Sequence, residues 1–211
     1  MNQSSSTATS LTRAARRRQR TQQELLAAAT RVLAEKGFHE TKIADIAAAA
    51  DLGVGTFYLY FPTKDALFDA VVDDTVARLK AVVDAARAAA ADPIDRLRAA
   101  NVAFCQFAHR NREVFRIVFG HAAAYSDVIR RAQALFAADI EENLREGIAS
   151  GAFAPVPVDL AAQATVGMVT QILSWWTEHE SVPLEQIHDT ITTLALRGLM
   201  PAAPDKGVHD V

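Results

Sequence analysis

Apolar side chains return every three or four positions along most of this chain, the spacing that gathers them on one face of a helix. No segment alternates apolar and polar residues with period two, and Asn-Gly and Asp-Gly hairpin signals are missing. A first helix is predicted from about Arg16 to Lys36, with Leu26, Ala29 and Leu33 on its stripe and Gly37 as its stop. Two short helices follow, about Ile43 to Ala50 and Val54 to Phe61, joined by Asp51-Leu52-Gly53 and closed by Pro62. Thr63 caps a long fourth helix to about Ala91, with Phe68, Val71, Val72, Thr75, Leu79 and Val82 on one face. Asp92-Pro93-Ile94-Asp95 is a strong start signal for a fifth, and Asn111 caps a sixth running through Phe119. A seventh starts at Ser126 and ends near Gly151. After the loop Ala154-Pro155-Val156-Pro157, Asp159 caps an eighth to about His179, and Ser181 and Pro183 open a ninth ending near Gly198. The expected fold is all-α with nine helices.

Composition narrows the class. Of 211 residues, 50% are hydrophobic and 22% charged, which excludes a disordered chain. The Ser/Thr-rich start MNQSSSTATS and the residues from Ala202 read as exceptions, a loose arm and a loose tail. Cys105 is the single cysteine, so no intramolecular disulfide forms. No apolar run reaches the roughly 20 residues of a membrane span, and the polar, then basic N-terminus lacks a signal's apolar core. A soluble, cytoplasmic protein without a membrane partner is expected.

Charge divides the chain. The net charge is −3, but residues 1–64 carry nine Lys/Arg against five Asp/Glu, and the remainder thirteen against twenty. A basic module therefore precedes an acidic body. Arg13, Arg16, Arg17, Arg18 and Arg20 concentrate the positive charge at its start.

The two short helices and their three-residue turn form a helix-turn-helix, whose second helix is of the size that enters a DNA major groove. Ile43, Ile46, Ala47 and Ala50 pack against Leu52, Phe57 and Phe61, leaving Val54, Gly55, Thr56, Tyr58, Leu59 and Tyr60 for other surfaces. Hydroxyls at Thr56, Tyr58 and Tyr60 suit phosphate contact. Gly37-Phe38, Thr41, Asp45-Ile46-Ala47, Gly55-Thr56, Tyr58, Phe61-Pro62, Lys64 and Leu67 stand in an order and spacing that resembles the TetR family of bacterial transcriptional regulators. The resemblance covers residues 20–70; beyond them only length and helix layout agree.

This resemblance implies a homodimer on a near-palindromic, double-stranded operator, with a head over 16–62 behind a disordered basic arm over 1–15. It implies a ligand-binding and dimerisation body over 63–200, then a flexible tail over 201–211. Thr41, Thr56, Tyr60 and Lys64 would contact phosphates, Gly55 would permit close approach, and Tyr58 would lie near bases or sugar. Three positions depart from the family's usual residues: Asp51 stands for Gly, Val54 for Lys and Ala44 for Arg. Asp tolerates the left-handed turn, while the loss of two cationic base readers shifts weight to phosphates, DNA shape and the arm. Val54 can still meet a thymine methyl, Lys42 substitutes in part, and Arg16, Arg17 and Arg18 either enter a minor groove or neutralise phosphates.

In the body, aromatic residues stand on most helices, as core or as the lining of a pocket for a hydrophobic small-molecule effector. The family's fifth helix borders such a cavity, which makes Asn101, Phe104, Cys105 and Phe107 candidates. Phe115, Phe119 and Trp176 join them, the adjacent Trp175 then turning toward a dimer seam. His109, Arg110, Asn111, Arg112 and Arg116 form a basic cluster, read either as an anion site or as a solvated connection. Helices 8 and 9 are apolar beyond one narrow stripe, and Val166, Val169, Leu173, Ile187, Ile191 and Leu194 are the expected dimer interface. Helices 7–9 loosely resemble those of regulators that sense acyl-CoA thioesters.

Enzyme chemistry finds no support: there is no glycine-rich phosphate loop, no nucleophile elbow and no His pair or Cys-His set with metal-ligand spacing. No cofactor or metal is expected. The sequence thus reads as a ligand-responsive regulator, most simply a repressor. The alternative is a small-molecule-binding or scaffold protein of the same fold that lacks specific DNA reading, as Ala44, Asp51 and Val54 would allow.

Overall fold

The computed structural model describes residues 4–119, 127–179 and 181–201, with side chains described from residue 12 onward except at 117–119. Among the described residues the architecture is all-α, with nine helices in the expected order. These are α1 (Ser4–Glu40), α2 (Ile43–Ala49), α3 (Val54–Tyr58), α4 (Lys64–Ala88), α5 (Pro93–Arg110), α6 (Arg112–Phe119), α7 (Asp127–Ala149), α8 (Val158–Glu178) and α9 (Leu184–Leu199).

Several boundaries obey the chemistry read from the sequence. Thr63 Oγ1 accepts from the Ala66 amide at 3.0 Å, and Asp92 Oδ1 accepts from Ile94 and Asp95, both at 2.9 Å. Asp51 takes φ 56°, the left-handed turn expected of it. Other boundaries differ. α1 begins at Ser4, through the segment expected to be a disordered arm, and runs on to Glu40 across a break at Gly37. Gly37 sits at φ 76°, ψ 166°, open to glycine and strained for other residues. Asn111 closes α5 as well as opening α6: its Nδ2 donates to Phe107 O at 2.8 Å, and its own carbonyl accepts from the Phe115 amide at 3.2 Å. Pro157, not Asp159, stands at the cap of α8. Val83 faces inward in place of Val82, which is exposed. The expected start of the seventh helix at Ser126 lies outside the described residues.

Three apolar clusters hold the molecule together. The first joins α1, α2 and α3 (Leu25, Leu33, Ile46, Phe57) to α4 through Leu67, Phe68, Val71 and Val72. It also takes in Val114 of α6 and Val128 and Ile129 of α7, so the N-terminal helices and the body share one core. The second packs α4 and α5 against α8 and α9, and the third packs α5, α7, α8 and α9 around Phe153. Dense side-chain packing of this kind transmits a displacement rather than absorbing it.

Candidate DNA-binding surface and ligand cavity

In the head, α2 is held at both ends by charge. Arg31 Nη2 donates to Ala49 O at 3.3 Å, and Lys36 pairs with Asp45 at 3.1 Å. The Lys42 amide also donates to Asp45, at 3.1 Å. That amide, then Lys36, holds the Asp45 carboxyl below its ordinary pKa. With α2 fixed and Phe57 fully buried, α3 turns the rest of its surface outward. Val54, Gly55 and Tyr58 are exposed, and Leu59 is 74% exposed. A Cβ at Gly55 would meet nothing within 4 Å, so no packing within the chain requires a glycine there. Arg16, Arg17, Arg18 and Lys42 are exposed too. Thr56 and Tyr60 are half-buried, and the Arg18 guanidinium stands 5.7 Å from the centre of the Tyr60 ring.

Two expected phosphate contacts are otherwise engaged. Thr41 is buried and its hydroxyl donates to Gly37 O at 2.7 Å. Lys64 Nζ donates to Phe38 O at 2.6 Å, Thr41 O at 3.0 Å and His39 O at 3.4 Å, and stands 4.4 Å from the Phe38 ring centre. An ammonium has three donors, so all of them serve the carbonyls where α1 ends. These two residues build the joint between α1 and α4. The sequence motif named the positions but not their work, because a lysine beside a helix start reads as a surface cation until the fold brings a carbonyl cluster to it.

The body holds a cavity of about 140 Å³. Its walls come from α4 (Val72, Thr75, Leu79, Val83), α5, α6, α7 and α8. Of the expected lining, Asn101, Phe104 and Phe115 border it. Cys105, Phe107 and Trp176 do not: they turn into the packing among α5, α8 and α9. Trp176 is fixed there by its Nε1 donating to Val182 O at 2.9 Å and by the Arg112 guanidinium 4.7 Å from its ring centre. The Phe119 side chain lies outside the described residues. Burial pushes the Cys105 thiol up to about 12.

The expected dimer face needs a larger correction. Val166, Val169, Leu173, Ile187 and Ile191 are all buried within the single chain, and Val166 and Val169 line the cavity. Side chains already enclosed by their own core have no surface to give a partner. Of the six, only Leu194 points outward, at 53% exposure. The exposed apolar side chains of α8 are other residues, Leu160 and Trp175, with bare Gly167 between them.

The basic cluster is mostly architectural. Arg112 Nη2 donates to Trp176 O at 2.9 Å, and Arg116 Nη2 donates to Ala34 O of α1 at 3.1 Å. Among the described residues no group of three or more His, Cys, Asp or Glu side chains is placed to hold a metal ion. No helix there is long and apolar enough to cross a membrane.

A helix-turn-helix head with an outward α3, fused through a shared core to a helical body with a largely apolar cavity, defines a DNA-binding regulator. Residues 25–71 match the model of bacterial regulatory proteins of the tetR family, and residues 90–199 match the tetracyclin repressor-like C-terminal domain. The chain belongs to the TetR family of transcriptional regulators, and its function is regulatory rather than enzymatic. It is 24% identical over 180 residues to the HTH-type transcriptional regulator YhgD of Bacillus subtilis, covering 83% of this chain and 94% of that one. The fold is shared with FadR of Bacillus subtilis in complex with stearoyl-CoA (TM-score 0.76, 19% identity, 83% of this chain and 98% of that one). It is also shared with AibR in complex with isovaleryl coenzyme A and operator DNA (TM-score 0.68, 23% identity, 82% of this chain and 97% of that one).

Proposed function

We propose that this protein is a homodimeric repressor that leaves a near-palindromic operator when a hydrophobic small molecule fills the body cavity. The observation that carries this reading is the double role of α4. Its first turn is fastened to the head through Lys64 and Phe68, and its middle, from Val72 to Val83, is a cavity wall. A ligand that favours a different α4 position tilts the head with it. Two recognition helices must stand about one DNA turn apart, roughly 34–36 Å, to read both half-sites. The shift is limited to the ligand's differential affinity for the two positions.

DNA contact falls to residues 16–62, with Arg16, Arg17, Arg18, Lys42, Val54, Gly55, Thr56, Tyr58 and Tyr60 as its surface. Leu59 joins them, being exposed on the same helix end. The dimer uses the outer faces of α8 and α9. Leu160, Ala164, Gly167, Gln171 and Trp175 follow one another at spacings of three and four, and Thr190, Leu194 and Gly198 at four. Apolar side chains beside bare glycines suit close helix packing across a two-fold axis. An apolar ligand is supported by the cavity lining, and acyl-CoA binding by two fold neighbours keeps a thioester among the ligands to be tried.

The test is fluorescence anisotropy of the full chain on the DNA upstream of its own gene, beside a scrambled duplex of equal length, at two salt concentrations. Tighter binding to the native duplex that survives the higher salt is expected. Equal binding to both, vanishing with salt, favours a protein of this fold without sequence reading. The lack of any cation on α3 itself is the observation on that side.

A further inference from the structure

The cavity is mostly apolar, and two buried amides border it. Asn101 on α5 is 8% exposed, and its Nδ2 has no hydrogen-bond partner in the protein. Asn143 on α7 is 6% exposed; its Nδ2 donates to Pro93 O at 2.9 Å, which fixes the amide's orientation and leaves Oδ1 without a partner. A buried amide group without a partner is destabilising, because it has given up its hydrogen bonds to water. Two of them on one cavity are a standing cost that a suitable occupant relieves.

The charged groups of the same wall are paired with one another, though Asp139 Oδ2, an acceptor beside Lys80 Nζ, makes no directed hydrogen bond. Asp139 pairs with Lys80 at 2.9 Å and with Arg87 at 3.5 Å, and Arg96 pairs with Glu146. Burial lowers the Lys80 pKa, but its interactions with the Asp84 and Asp139 carboxylates outweigh it and hold the ammonium above its ordinary value. The threonine hydroxyls of the wall have no proton left to offer an anion: Thr75, Thr165 and Thr170 each donate to a carbonyl of their own helix at 2.8 Å. Gln133, also in the wall, is only half-buried. An entering carboxylate or phosphate therefore meets no unpaired cation, and it would lose its hydration without compensation.

Size sets the other bound. A cavity of roughly 150 Å³ takes benzene, close to the volume of about 140 Å³ of this partly open pocket. Asn143 is tied to Pro93, in the first turn of α5, and Asn101 lies eight residues further along that helix. Eight residues rise about 12 Å, so the two amides stand at different depths. Resting on the reading of this cavity as the effector site, we infer that the effector is a small uncharged molecule, about the size of a single ring. It carries a hydrogen-bond acceptor toward Asn101 and a donor toward Asn143, at opposite ends of an apolar middle.

Calorimetric and thermal-shift titrations of the full chain test this with four probes. They are para-hydroxyacetophenone (acceptor and donor across a ring, used where its phenol is uncharged), para-xylene (neither), para-hydroxybenzoate (an anion of like size) and isovaleryl-CoA. The first is expected to bind at least about tenfold tighter than the others. Asn101→Leu should remove that preference, leave para-xylene binding unchanged and raise the melting temperature of the free protein, because it deletes an unpaired amide from an apolar wall. Asn143→Leu, which deletes the acceptor, should weaken para-hydroxyacetophenone about as much. Equal binding of para-xylene, tighter binding of para-hydroxybenzoate or isovaleryl-CoA, an unchanged preference in Asn101→Leu, or no binding of any probe overturns the inference. Binding as expected without release from the operator leaves the inference standing and overturns ligand-released repression instead.

Discussion

Lys64 Nζ lies 2.6 Å from the carbonyl oxygen of Phe38, so the first residue of α4 closes the end of α1. The pair joins the helix that reaches the DNA-binding head to the helix that walls the cavity. Lys64→Met removes three donated hydrogen bonds and is expected to cost about 1–3 kcal/mol in urea unfolding. The salt slope of operator binding should stay as it was. A phosphate contact would instead lower that slope by about one, so titration at several salt concentrations separates a joint from a DNA contact.

Asp51 holds the turn between α2 and α3 at φ 56° and is exposed. Asparagine accepts the same backbone conformation without the charge. Asp51→Asn should change stability by less than about 0.5 kcal/mol. It should tighten DNA binding at low salt, with the gain fading as screening shortens the reach of the lost charge. Unchanged affinity at low salt would remove the turn from the DNA-facing surface.

The adjacent tryptophans of α8 should separate cleanly. Trp175 is 46% exposed and stacks on His179 at 4.0 Å, whereas Trp176 is buried and hydrogen-bonded. Trp176→Ala is expected to cost about 3–5 kcal/mol of stability. Trp175→Ala should leave the fold intact and shift sedimentation toward monomer. A Trp175→Ala protein that stays fully dimeric at low concentration would move the seam off this face.

Gly147 on α7 lies under Phe153. A Cβ there would stand 2.1 Å from Cδ2 of the ring, and the segment is closed by Phe153 N–H donating to Gly147 O at 3.0 Å. Gly147→Ala should therefore destabilise by about 1–3 kcal/mol through overpacking, despite alanine's better helix propensity. A rise in melting temperature would show that the Phe153 ring yields freely.

Cys105 is fully buried, and its thiol pKa is raised to about 12 against an ordinary value of 9.0. The native protein should resist alkylation at neutral pH and react once unfolded. The sign of the linkage follows from the raised pKa: the unfolded thiol ionises first. Its contribution to stability is thus complete below about pH 9.0 and is lost as pH rises toward about 12. Cys105→Ala should flatten that alkaline decline in stability. An identical decline in both proteins would assign it to other groups.

Short stretches of chain were enough to fix the helical class, the Thr63 and Asp92 caps, the Asp51 turn and the packing of Ile46 on Phe57. These follow from local periodicity and backbone preference, both written within a few residues. Asn101 was legible too, as a polar amide on an apolar stripe, and Asn143 carries the same signal beside Leu144 on α7. Tertiary structure alone decided which of several apolar faces turns inward. Val166, Leu173 and Ile191 are as apolar as any seam residue, and only their neighbours on α5, α7 and α9 reveal that the chain encloses them. Lys64 and Thr41 show the same limit. Each is bonded to carbonyls that the break at Gly37 turns toward it, and a side chain's partner depends on distances that periodicity does not contain.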